Sequence, residues 1–77
     1  MVALNTLSTG DRGKVVGYAE GQKAYRSKLL SMGITPGTDF SVVRLAPLGD
    51  PVELEIRGYR LSLRKAESSV VMVEVDR

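Results

Sequence analysis

The chain has 77 residues, 43% of them apolar and 26% charged, which fits one small globular domain and leaves no room for two. It contains no cysteine and no histidine, which removes disulfides, thiolate and imidazole metal sites, a cysteine nucleophile and the usual general base of neutral pH. Its net charge is +2, spread over scattered Lys and Arg with only Tyr18, Tyr25, Phe40 and Tyr59 as aromatics, and this neither demands nor forbids a nucleic-acid partner.

A domain this small buries only about 60% of the surface its unfolded chain exposes, so a deep internal active site is not expected, and neither is an enzyme. No apolar run approaches the ~20 residues that span a bilayer. Residues 1–7 lack the charged start and long apolar core of a signal peptide. The expectation is a cytoplasmic protein with no direct membrane insertion.

Leu4 and Leu7 are spaced for a single helical turn touching the core. Thr9-Gly10-Asp11-Arg12-Gly13 reads as a turn, and Val15 and Val16 as a short strand ending near Tyr18, broken by Glu20-Gly21. Residues 23–32 read as a helix whose apolar face carries Tyr25, Leu29 and Met32, widened by Leu30. Gly33 and Ile34 supply the left-handed stop of that helix and the apolar residue that packs back on its last turn. Pro36-Gly37 fits the centre of a type II turn.

Residues 40–45 form a β-rich run around Val42 and Val43, interrupted by Ala46-Pro47-Leu48-Gly49-Asp50-Pro51. Two prolines and a glycine make that interruption a fixed loop. Residues 52–63 are the clearest hairpin. A two-residue loop at Arg57-Gly58 sets Ile56 against Tyr59, Leu54 against Leu61, Val52 against Leu63 and Glu55 against Arg60. Apolar pairs then share one face and opposite charges the other, which fixes the register. Residues 64–68 read as one helical turn, and residues 70–75 as a last strand with Val71, Val73 and Val75 on one face. Five short strands and one helix in 77 residues predict a mainly β fold, a small SH3-like antiparallel barrel with the helix inserted after its first strand. An OB-fold is the competing architecture.

Three ordered pieces carry a family resemblance. They are Lys28-Leu29-Leu30-Ser31-Met32-Gly33-Ile34-Thr35-Pro36-Gly37-Thr38, then Val43-Arg44-Leu45-Ala46-Pro47-Leu48-Gly49-Asp50-Pro51, then Leu61-Ser62-Leu63-Arg64-Lys65-Ala66-Glu67. Together, with Leu7 and Gly10, they resemble the FeoA family, the small cytoplasmic component of bacterial ferrous iron uptake. The six residues 46–51 are the most specific part. The resemblance implies an SH3-like barrel and a partner, the membrane GTPase and permease FeoB, with a regulatory role exercised by protein contact. A related domain closes some metal-dependent repressors. No DNA-binding or metal-sensing domain precedes this one, so the free-standing form is the expectation.

The candidate partner-binding residues are Pro47, Leu48, Gly49 and Asp50, with Leu48 exposed at a loop tip and Asp50 as a polar anchor. Loops on rigid scaffolds carry binding, and prolines lower the entropy lost on docking. Arg26 and Lys28 present a second, basic surface on the helix. The competing reading of each is structural: a connector and a solvated helix face.

Glu53 and Glu55 lie at i and i+2 and could face a cation together, as could Glu74 and Asp76. The competing reading is a solvated face, with the first pair matched to Arg60 and Arg64. An all-carboxylate set would in any case favour hard cations over iron. Arg60, Arg64 and Lys65 form the densest basic group, but no aromatic platform accompanies them, which argues against nucleic-acid recognition. No cofactor is expected. A metal-responsive (transition metal ion binding) module and a nucleic-acid-binding barrel stand as alternatives, and self-association to a homo-oligomer through open sheet edges is left open.

Overall fold

The computed structural model describes residues 1–21 and 23–76. In chain order the elements are β1 (Val2–Ala3), a 3₁₀ turn (Leu4–Thr6), β2 (Arg12–Tyr18), α1 (Lys23–Ser31), β3 (Asp39–Leu45), a turn at Pro47–Gly49, β4 (Val52–Ile56), β5 (Tyr59–Leu63), α2 (Lys65–Ser68) and β6 (Val71–Val75). All strand pairings are antiparallel, and the order across the sheet is β1-β6-β2-β3-β4-β5.

Two β-bulges curl this sheet. Val16 is the extra residue between the Val15–Val73 and Gly17–Met72 pairs, and Val43 the extra residue between Val42–Leu54 and Arg44–Glu53. An extra residue bends its strand and sharpens the local twist. The result is barrel-like, with extents of 28 × 25 × 23 Å. The edge strands β1 and β5 are not paired to each other. The gap is covered by α2, which packs on β5 and on the Leu4–Thr6 turn. Leu4, Val15, Leu29, Ile34, Val42, Val52, Leu54, Ile56, Leu63, Val71 and Val73 fill the interior, each at most 2% exposed.

The β4–β5 hairpin has the expected register throughout: Val52–Leu63, Leu54–Leu61, Glu55–Arg60 and Ile56–Tyr59. Its turn takes positive φ at both Arg57 (49°) and Gly58 (82°), the signature of a type I′ turn whose twist suits the strands. The end of α1 is a Schellman motif. Ile34 N–H reaches the Leu29 carbonyl at 3.0 Å, and Gly33 N–H reaches that of Leu30 at 3.1 Å. The type II turn follows, with Thr38 N–H bonded to the Thr35 carbonyl at 3.1 Å and Gly37 at φ 89°.

Several boundaries differ from the sequence expectation. A sixth strand, β1, precedes the first turn and pairs with β6. β2 starts at Arg12, because Arg12 and Gly13 already pair with β3. The last strand starts at Val71, since the Val70 carbonyl accepts the Ala19 N–H from outside the ladder. The helix ends at Ser31, where the Schellman turn takes over. Leu29 is fully buried and Tyr25 and Met32 pack against the core, but Leu30 is 41% exposed and does not widen the apolar face. Leu30 lies about 100° around the helix from Leu29, which turns it to solvent.

Candidate protein-docking site

The 46–51 loop leaves β3 and enters β4. Ala46 N–H donates to the Pro51 carbonyl at 3.2 Å, closing the loop at its base, and Gly49 N–H donates to the Ala46 carbonyl at 2.8 Å. Between them Pro47 takes the second position of a tight turn, where its ring pre-sets φ, and Leu48 takes the third. Leu48 has φ 67° and ψ 11°, left-handed values that cost an L residue with a side chain roughly 1–2 kcal/mol. It is also 94% exposed. A leucine in a strained conformation and in full contact with water contributes nothing to the core.

Asp50 fixes the outgoing side of the loop. Its Oδ1 accepts the Lys65 N–H at 3.1 Å and lies 3.4 Å from Arg64 Nε. The loop is therefore tied to the junction of β5 and α2. These contacts of Asp50 lie within this chain and hold the loop in place.

The second predicted surface is engaged internally. Lys28 pairs with Glu67 on α2, and Glu67 also accepts the Arg64 N–H at 2.9 Å. Lys28 first, and then the Arg64 N–H, hold the Glu67 carboxyl below the ordinary carboxylate range, although burial pushes the other way. The Arg26 guanidinium lies 5.7 Å from the centroid of the Tyr18 ring, where the ring face attracts a cation. The Tyr18 hydroxyl donates to the Ile34 carbonyl, and burial raises its pKa while Arg26 lowers it by less. Lys28 and Arg26 thus each have a partner within the domain, while both side chains stay exposed.

Glu55 faces Arg60 at 3.6 Å. Glu53 faces Arg44 at 4.0 Å, because Arg44 is its partner in the β3–β4 register, while Arg64 turns to Asp50. Glu74 and Lys14 are partners in the β2–β6 register, and Asp76 follows β6. Among the described residues no three or more His, Cys, Asp or Glu side chains converge as a metal-ligand set. Sequence reasoning missed Glu67 as the link between the helices. It also missed Thr35 and Thr38, whose hydroxyls receive Arg57 Nη2 at 3.4 and 3.2 Å and pin the hairpin tip. A glutamate three residues into a helix is a known reach-back signal, and Glu67 carries it.

A curled antiparallel sheet of six strands with a helix inserted between β2 and β3 defines a small SH3-like domain, the fold also named for the zinc complex of Stenotrophomonas maltophilia FeoA. That structure matches at TM-score 0.79 and 23% identity, over 100% of this chain and 98% of that one. The FeoA domain model matches residues 2–75, and the chain belongs to the FeoA family, which is linked to ferrous iron transport. A FeoA-like protein from Clostridium acetobutylicum is 42% identical, with TM-score 0.86 over 96% of this chain and 85% of that one. A Porphyromonas gingivalis fusion of Fe(2+) transport protein A with the Fe(2+) transporter FeoB is 39% identical over 72 residues. That match covers 94% of this chain and 8% of the relative's length.

Proposed function

We propose that this domain is a non-catalytic accessory of ferrous iron uptake, acting on the cytoplasmic side by docking its 46–51 loop on a FeoB-type membrane GTPase and permease. One observation carries the reading: Leu48 is held at φ 67° and is 94% exposed on a loop tied down at both ends. Strain of this kind persists only where the surroundings impose it, and it collects at binding and switch sites. A loop already fixed loses little entropy when it docks. The fused relative supports FeoB as the partner, since its two units share one chain.

Among the described residues no helix is long and apolar enough to cross a membrane, so membrane association through the partner fits the chain. Docking without catalysis also fits a chain with no histidine or cysteine.

Calorimetric titration against full-length cognate FeoB in lipid discs, with and without guanine nucleotide, tests the proposal. Saturable binding is expected, weakened at least ~10-fold in Leu48→Ala by the loss of a buried leucine, with the melting temperature unchanged. No binding in any nucleotide state overturns it. Unfolding of Leu48→Ala would favour the connector reading of the loop.

A further inference from the structure

Two of the three residues in the basic cluster lie beside the exposed loop tip. Arg64 Nε is 3.4 Å from Asp50 Oδ1, and Lys65 gives its N–H to the same oxygen. Asp50 is two residues beyond Leu48, so their Cα atoms are at most about 7 Å apart. Leu48, Arg64 and Lys65 therefore share one end of the sheet.

The charges at that end are unequally presented. The Arg64 side chain is 72% exposed against 34% for Asp50. The Arg44 side chain, just before the loop, is 71% exposed against 37% for Glu53. Lys65 is exposed, whereas Glu67 is buried and paired with Lys28. The carboxylates here are the covered members of each pair and the cations the open ones, so an approaching molecule meets a leucine flanked by positive charge.

We propose that this is a composite surface: Leu48 enters an apolar pocket on a partner protein, and Arg64 and Lys65 meet carboxylates on the rim of that pocket. The inference rests on the docking reading above and adds to it the chemistry of the partner's surface. In this proposal Asp50 anchors the loop and makes no partner contact of its own. The two kinds of contact do separate work. A desolvated apolar plug governs dissociation, while rim charges steer approach and set salt dependence.

A bilayer is the less suitable occupant. A single leucine offers far fewer methylenes than one acyl chain, and one acyl chain alone binds membranes only marginally. Nucleic acid fits no better, because leucine gives bases no stacking platform.

Lys65→Glu is the informative variant. The anchor uses the main-chain N–H of Lys65, which the substitution leaves in place. Arg12→Glu is the charge-matched control: Arg12 pairs with Ser41, five residues before Ala46 and so roughly 17 Å along β3 from the loop. Binding kinetics of cognate FeoB in discs of neutral lipid should be read at low and high salt, with anionic vesicles free of protein as a second probe.

Lys65→Glu should slow association about 10-fold at low salt and flatten its salt dependence, and Arg12→Glu should do neither. Leu48→Ala should raise the dissociation rate with little change in association. Equal association rates for Lys65→Glu and wild type, with Leu48→Ala still weakened, overturn the acidic rim and leave the docking loop standing. Wild-type behaviour of Leu48→Ala as well overturns both. Retention on anionic vesicles that Lys65→Glu abolishes, with FeoB binding unaltered, assigns the surface to lipid and overturns the proposal.

Discussion

Lys28 on α1 pairs with Glu67 on α2, and the same carboxylate accepts the main-chain N–H of Arg64 at 2.9 Å. Arg64 in turn meets Asp50 at 3.4 Å, at the exit of the exposed loop. A single polar chain thus runs from the inserted helix through α2 to the 46–51 loop. It ties α2, which covers the gap between the edge strands β1 and β5, to α1 on one side and to the loop on the other.

Glu67 gives this chain a pH dependence. Its folded pKa lies below its unfolded value, so its contribution is complete above the unfolded value and is lost as pH falls through the folded one. Denaturant titrations of wild type and Glu67→Gln should differ by about 1–2 kcal/mol at neutral pH. The gap should close as pH drops below about 4. A gap independent of pH contradicts the assignment.

Leu48 should separate stability from binding. Leu48→Gly relieves the left-handed strain but frees the unfolded chain, so stability should change by less than about 1 kcal/mol. Leu48→Val keeps φ positive with a β-branched side chain, so it should destabilise by about 1 kcal/mol or more. Both should lose partner binding. Equilibrium unfolding checks the first pair of outcomes and partner titration the second.

Asp50→Ala removes the acceptor for Lys65 N–H and the partner of Arg64. A loss of about 1 kcal/mol in unfolding free energy is expected, the usual worth of one such bond, read as a lower denaturant midpoint at unchanged slope. Partner affinity should fall as well, although Asp50 touches no partner in this account, because the tip is no longer held. Amide exchange at Gly49 should quicken in parallel.

Gly33 sits at φ 91°, and a β-carbon there would meet the Tyr59 hydroxyl, which donates to the Met32 carbonyl at 2.8 Å. Gly33→Ala should therefore cost about 2–3 kcal/mol, from backbone strain plus a displaced hydrogen bond. In a Tyr59→Phe background the obstructing oxygen is gone, and the cost should drop by about 1 kcal/mol. A double-mutant cycle measures that coupling.

Local rules made much of this fold readable. The hairpin register followed from the two-residue turn at Arg57-Gly58 and the alternation around it, because slipping it by one residue would turn Leu54 and Ile56 to solvent. The stop of α1 followed from Gly33 and Ile34. β1 was not legible, since the two residues Val2–Ala3 show no period and are made a strand by β6.

The candidate site was legible in outline. Leu48 stands at an exposed tip, as the loop composition indicated, and Asp50 ties that loop to Arg64 and Lys65 of the same chain. The positive φ of Leu48 was hidden because Gly49 beside it is the residue expected to take such a value, and both do. The engagement of Lys28 was hidden because Glu67 is distant in sequence, and only the folded sheet brings α2 to α1.

The most direct test of the central claim is the map of amide resonances perturbed when cognate FeoB is added to isotopically labelled domain. The account predicts broadening or shifts centred on residues 46–51 and 64–66, with β1 and β2 unmoved. Perturbation centred on β2 and the start of α1, with the amides of Leu48 and Gly49 unchanged, would contradict it.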